Sequence, residues 1–249
     1  EAGLRSNDWT MPEEINRVLT DRMADLLLTP SRDADRNLLK EGVPPSRIRF
    51  VGNVMVDTLL RLADRARTLG MPEKLGVDTH GYAVVTLHRP SNVDCRRTLG
   101  ELVVALDDLA EELTVCFAVH PRTRARMTEF GLAPRHPRVK LLEPLGYLEM
   151  VGLVEQATLV LTDSGGLQEE TTVLGIPCLT ARPNTERPVT ISEGTNRLVG
   201  STRFAIAAAV ADVLAGRRSG QFVPRRPEGW DGKAGERVVA AITGARHGD

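Results

Sequence analysis

Thr158-Leu159-Val160-Leu161-Thr162 runs directly into Asp163-Ser164-Gly165-Gly166-Leu167. The first five residues read as a buried strand, and the small-residue turn opens a helix over about 166–174. The same unit recurs on both sides. Upstream, Ala83-Val84-Val85-Thr86-Leu87 is a β-branched run, and Leu99, Leu102, Val103, Leu106, Leu109, Ala110 and Leu113 follow it at helical spacing. Residues 115–119 are a second strand ahead of a short polar helix near 123–130. Residues 139–142 are a third, with a helix at 147–156, and residues 176–180 are a fifth. Such alternation predicts an α/β fold: a parallel, Rossmann-like sheet with helices on both faces. Continuous rather than alternating apolar strands fit a sheet covered on both sides.

The first 60 or so residues differ. Pro12-Glu13-Glu14 suits a helix start, since proline fits the first turn and carboxylates complement the N-terminal dipole. Ile15, Val18, Leu19, Leu26 and Leu27 are read as its apolar face. Leu26-Leu27-Leu28-Thr29 equally begins a strand, and periodicity does not separate the two. Ser31 starts a helix to about Lys40, and Arg49-Phe50-Val51-Gly52 is strand-like. The glycine-rich stretch 69–81 reads as a linker. The expected domains are 1–65, the end of a first domain; 66–225, the Rossmann-like domain; and 226–249, a linker and a C-terminal helix packing back toward the first.

Composition narrows the function. Of 249 residues, 41% are hydrophobic and 26% charged, as in ordinary globular domains. Lys plus Arg (32) balances Asp plus Glu (33), a net charge of −1, and aromatics are 4%. Neither a nucleic-acid partner nor a membrane partner is expected on that balance. The most apolar stretch, 204–215, is short of the ~18–20 residues of a bilayer span. Three cysteines without a CxxC fit buried free thiols in a reducing cytoplasm. The five histidines have no metal-ligand spacing, so no metal is expected.

Each strand of the second domain ends in polar residues: His88-Arg89, His120, Glu143, Asp163-Ser164 and Arg182. Open parallel sheets bind ligands outside the carboxyl ends of their strands. Ser164, Gly165 and Gly166 read as a phosphate cradle at a helix start, where free N–H groups and the dipole favour an anion. Glu170, one turn on, reads either as a ribose-hydroxyl acceptor or as a solvated helix face. His88 reads either as an acid or donor for an anionic leaving group or as a hydrogen-bonded loop histidine. Glu1, Arg5, Glu13 and Arg17 are charges in a segment with little obvious core, and Glu13 and Arg17 have the spacing of a surface ion pair.

Glu1-Ala-Gly-Leu-Arg5, Pro12-Glu-Glu-Ile-Asn-Arg17, Val51-Gly-Asn53, His88-Arg-Pro-Ser-Asn-Val-Asp94, Asp163-Ser-Gly-Gly-Leu-Gln-Glu-Glu170 and Thr185-Glu-Arg-Pro188 resemble, in order, the non-hydrolysing UDP-N-acetylglucosamine 2-epimerases. The resemblance implies a glycosyltransferase-B-like fold with UDP-sugar in its cleft, and interconversion of UDP-GlcNAc and UDP-ManNAc without metal or nicotinamide cofactor. It makes Glu1, Glu13, His88 and Arg17 catalytic. It gives substrate contacts to Arg5, Met150, Ser164, Gly165, Gly166, Glu170 and Arg187, with Met150 beside uracil. It further implies a second nucleotide-sugar site at Arg89 and His120, and a homodimer where the full first domain is present. In the family a further Rossmann-like half, with another catalytic acid, precedes the segment matching Glu1; the chain is expected to lack it. Ser91 stands where the family usually has Glu. Two other readings stand beside the epimerase: a catalytically incomplete UDP-binding module, and a glycosyltransferase of the same general fold.

Overall fold

The computed structural model describes residues 1–245. Along the chain lie α1 (Pro12–Met23), β1 (Leu27–Thr29), α2 (Arg32–Lys40), β2 (Ile48–Phe50), α3 (Val54–Arg67) and α4 (Met71–Leu75). Then come β3 (Tyr82–Thr86), α5 (Pro90–Val93), α6 (Arg96–Glu112), β4 (Thr114–Ala118), α7 (Pro121–Phe130), β5 (Val139–Leu142) and α8 (Tyr147–Val154). The chain continues through β6 (Leu159–Thr162), α9 (Gly165–Leu174), β7 (Cys178–Thr180), α10 (Val189–Ser192), β8 (Asn196–Leu198), α11 (Arg203–Arg218) and α12 (Ala234–Ala245).

These elements form two compact units. One comprises Glu1–Leu62, Asn184–Gly194 and Arg226 onward; the other comprises Ala63–Pro183 and Thr195–Arg225. The division falls inside α3. The sequence was read as one continuous domain over 66–225, but residues 184–194 cluster with the first unit. The last four residues of the 226–249 segment lie outside the described residues.

The second unit is a six-stranded parallel sheet in the order β5-β4-β3-β6-β7-β8. Its earliest strand, β3, lies in the middle, and the winding reverses between β3 and β6. Their register pairs Ala83 with Leu159 and Thr86 with Thr162. Alternate residues feed two cores. Val85, Phe117 and Leu161 meet Leu99, Leu102 and Leu106 of α6 and Ile206 and Val210 of α11 on one face. Val84, Cys116 and Val160 meet Leu153, Val154 and Met71 on the other. That double coverage is why the central strands are continuously apolar. β8, α11, α3 and the short α5 and α10 have no counterpart among the elements expected from the sequence. β8 is a three-residue edge strand without a β-branched run, and α11 was noticed only as an apolar stretch.

Stretch 69–81 is not a free linker. Met71 and Pro72 of α4 are buried, and Met71 joins the core that holds Tyr82 and Leu153. Gly70 and Gly76 take φ of +57° and +59° at the two ends of α4, so these glycines bound a helix rather than loosen the chain. Cys116 and Cys178 are buried as expected, whereas Cys95 is exposed, because it stands in the loop that opens α6.

In the first unit β1 and β2 pair in parallel, so residues 27–29 are strand rather than an extension of α1. α1 inverts the expected amphipathic pattern: Glu14 and Asp21 are buried, while Ile15, Leu19 and Met23 are exposed. The charges stitch residues 1–11 to the helix. Glu14 accepts the backbone N–H groups of Ser6 and Asn7, at 2.9 Å and 2.8 Å. Asp21 accepts Gly3 N–H at 2.9 Å and pairs with Arg5 at 2.7 Å. The segment after residue 226 is equally anchored. Trp230 is fully buried and donates Nε1–H to the Pro30 carbonyl at 2.9 Å. Asp57 receives the Ala234 and Gly235 N–H groups that open α12. A Cβ on Gly52 would stand 2.1 Å from the Gly229 carbonyl oxygen, so only glycine permits this crossing.

Candidate functional site

In the second unit, His88 follows β3 and Asp163 follows β6, on the two sides of the reversal in strand order, where such sheets bind ligands. The Asp163 carboxylate is fully buried and accepts four donors. These are the backbone N–H of His88 at 2.9 Å, that of Arg89 at 2.8 Å, Asn92 Nδ2 at 3.0 Å and His88 Nδ1 at 2.8 Å. Burial pushes Asp163 upward, but the bonds from His88, Arg89 and Asn92 outweigh it and hold the carboxyl below its usual range. His88 is therefore a held histidine, with its side chain about one-third (36%) exposed.

Ser164 ends β6 in extended geometry and starts α9, leaving Gly165 and Gly166 in the first helical turn. Their N–H groups have no intrahelical acceptor, and the dipole makes that end positive. Gly166 faces open space: a Cβ there would meet nothing nearer than Ser164 Oγ at 3.9 Å. α9 is fixed from behind by polar contacts. Gln168 donates to the Ser164 carbonyl and accepts from Asn196 Nδ2, and Asn196 accepts the Thr180 hydroxyl at 2.6 Å. Glu170 is half-buried on the same helix. Burial first, and then the charge of Glu169, push its carboxyl up to about 7, against a hydrogen bond from Tyr147. Tyr147 opens α8, and Met150 one turn later packs on the core of that face.

The first unit gathers a second set. Glu1 pairs with Arg187 at 2.6 Å and with Arg17 at 3.6 Å. Arg17 also binds Glu14 at 2.6 Å, and Arg187 pairs with Glu186. Both guanidiniums are almost wholly buried, while Glu1 is half exposed. Glu13 points outward from the first turn of α1, and Arg17 pairs with Glu14 and Glu1. Arg5 is turned inward. Its guanidinium binds Glu41 at 2.7 Å and Asp21 at 2.7 Å and donates to the Leu4 carbonyl. These contacts tie the N-terminal segment to α1 and to the end of α2 within the first unit.

Arg89 and His120 lie beside the His88 site: the His88 and His120 rings are 5.6 Å apart, and Arg89 Nε donates to the Asp163 carbonyl. His120 Nδ1 accepts the Arg122 N–H and caps α7. No group of three or more His, Cys, Asp or Glu suited to a metal occurs among the described residues. No helix of the described residues is long and apolar enough to cross a membrane. The sequence reading passed over Asp163, Asn92 and Glu14 as functional or organising groups. Asp163 and Asn92 become legible only with the strand order, which places residue 163 next to residue 88.

The chain matches the family model described as UDP-N-acetylglucosamine 2-epimerase over residues 1–243. It is 41% identical to a UDP-N-acetylglucosamine 2-epimerase of Methanocaldococcus jannaschii, over 98% of this chain and 67% of that protein. It is 42% identical to a UDP-2,3-diacetamido-2,3-dideoxy-D-glucuronate 2-epimerase of Pseudomonas aeruginosa, over 82% of this chain and 57% of that one. Its fold matches the crystal structure of the M. jannaschii UDP-GlcNAc 2-epimerase in complex with UDP-GlcNAc and UDP, with a TM-score of 0.86 and 40% identity. That match covers 98% of this chain and 67% of the other.

Proposed function

The chain belongs to the UDP-N-acetylglucosamine 2-epimerase family, and from that premise we propose that it interconverts UDP-GlcNAc and UDP-ManNAc by elimination and re-addition of UDP. The observation that carries the reading is the pairing, at the reversal of the sheet, of a held histidine with a helix N-terminus bearing two glycines. Ser164, Gly165 and Gly166 take the diphosphate, the ionised Glu170 takes the ribose hydroxyls, and the Met150 backbone meets uracil. As the C1–oxygen bond breaks, its electron pair leaves with UDP, and positive charge gathers at C1 and acidifies C2–H. A carboxylate then removes that proton, leaving a C1=C2 double bond. Glu13, outward-facing at the start of α1, is the proposed base; Glu1, held by Arg17 and Arg187, is its sugar-side partner. In the return step a proton reaches C2 from the other face while the UDP oxygen adds to C1. His88 serves the same C1–oxygen bond in both directions.

Incubation with UDP-GlcNAc tests this, with UDP-ManNAc as the product sought by NMR. Its appearance supports the epimerase; UDP binding without it supports a nucleotide-binding module. The P. aeruginosa relative favours a second reading, in which the same chemistry acts on a diacetamido-uronate, so that UDP-sugar is run in parallel. The proposal places the protein in the cytoplasm, in keeping with two buried unpaired thiols, and makes it a homodimer where the full first domain is present, which light scattering checks. Arg89 and His120 are proposed to contribute to a second nucleotide-sugar site.

A further inference from the structure

We propose that Asp163 is the positioning residue of His88, holding the proton on Nδ1 so that Nε2 is the atom that exchanges a proton with the departing diphosphate. The identity of that proton acceptor rests on the epimerase reading; the placement of the proton rests on geometry alone. An ionised carboxylate only accepts hydrogen bonds. All the groups pointed at Asp163 are donors: two backbone N–H groups, the Asn92 amide and His88 Nδ1 at 2.8 Å. The proton between the imidazole and the carboxylate therefore sits on Nδ1. Neutral His88 is then the Nδ1–H tautomer, the opposite of the one an imidazole side chain favours in water. Its second proton is gained and lost at Nε2, on a side chain about one-third exposed.

The clamp is rigid from several sides. Asn92 Nδ2 also donates to the Ala181 carbonyl at 2.9 Å, and its Oδ1 accepts the Ser201 hydroxyl at 2.6 Å. Thr123 donates its hydroxyl to the Leu87 carbonyl, just before the histidine. Below, the Thr86 and Thr162 hydroxyls meet at 2.7 Å and tie the two strand ends together. In the elimination step Nε2–H gives its proton to the diphosphate oxygen as the C1–oxygen pair moves onto it. In re-addition the oxygen attacks C1 and the proton returns to Nε2. The ring never has to turn, because Nδ1–H stays on Asp163 throughout.

Long-range proton–nitrogen correlation spectra of the nitrogen-15-labelled protein, at mildly alkaline pH, read the tautomer directly. Wild type is expected to show His88 Nδ1 protonated and Nε2 bare. In Asp163→Asn, whose amide can donate, the proton should move to Nε2. Asn92→Ala keeps the carboxylate and should keep the Nδ1–H tautomer. Added UDP should shift Nε2 and leave Nδ1 in place. A dominant Nε2–H tautomer in wild type overturns the proposal, even where Asp163→Asn fails to fold, and so does an unchanged tautomer in a folded Asp163→Asn. An intact Nδ1–H tautomer in a protein that binds no UDP counts against the epimerase reading instead.

Discussion

Glu170, proposed to take the ribose hydroxyls, is unfavourably placed as a carboxylate in the free protein. Burial and the adjacent Glu169 push its carboxyl up to about 7, whereas ribose hydroxyls are accepted best by the ionised form. Bound UDP must then lower that pKa and release a proton. UDP affinity should rise as pH rises toward and through about 7, by up to tenfold per pH unit below it, and level off above. Calorimetry over a pH series checks this, and Glu170→Gln should flatten the dependence. Removing the side chain in Glu170→Ala should weaken UDP by about 1–3 kcal/mol. The stability effect has the opposite sign. Because the folded-state pKa is raised, the folded protein holds an extra proton between the ordinary value of 4.5 and about 7, and stability drains away as pH rises across that window. Thermal melts of Glu170→Gln above pH 7 should therefore lie above wild type.

α1 and α9 show what hydrophobic pattern conveys about an element and what it leaves out. The strands over 83–87 and 158–162 and the helix over 99–113 were legible because apolar burial set their residues. α1 was misread because charge, not apolar area, fixes it. Burial pushes Glu14 upward, but Ser6, Arg17 and Asn7 outweigh it and hold the carboxyl below its usual range. Its stabilising contribution is complete above the ordinary carboxylate pKa and is lost as pH falls through the depressed one. Glu14→Ala should cost about 3 kcal/mol, as for a broken buried ion pair, while Ile15→Ser should stay within about 0.5 kcal/mol; denaturant unfolding compares them. For α9, Gly166 has a clear 3.9 Å around its absent Cβ. Gly166→Ala should leave the melting temperature unchanged or raise it, since alanine gains about 1 kcal/mol in a helix. It should nevertheless weaken UDP by filling the space the diphosphate needs.

Taken as a whole molecule, the site was half legible in the sequence. The motifs around His88, Ser164 and Glu170 stand in the primary sequence, and the near-balance of charge carries no signature of a basic nucleic-acid binder. What joins residue 88 to residue 163 is strand order, and a chain read in one dimension does not carry it. Nor does spacing say which carboxylate of Glu13-Glu14 is exposed; the N–H groups of Ser6 and Asn7 decide that. Since neither a metal cluster nor a dinucleotide fingerprint enters the proposed chemistry, turnover should survive EDTA and need no added nicotinamide. An activity lost in EDTA and restored by a divalent ion would count against that chemistry.

The central claim, that UDP leaves and returns while C2 loses and regains a proton, is tested most directly in deuterium oxide. Proton NMR of UDP-GlcNAc with the protein should show the C2 proton replaced by deuterium as UDP-ManNAc appears. Glu13→Gln should still bind UDP but slow that exchange by about 10²–10⁴-fold, the usual scale for a general acid–base group. UDP-ManNAc formed with its C2 proton retained would contradict elimination and re-addition, and normal exchange in Glu13→Gln would show that the base is another group.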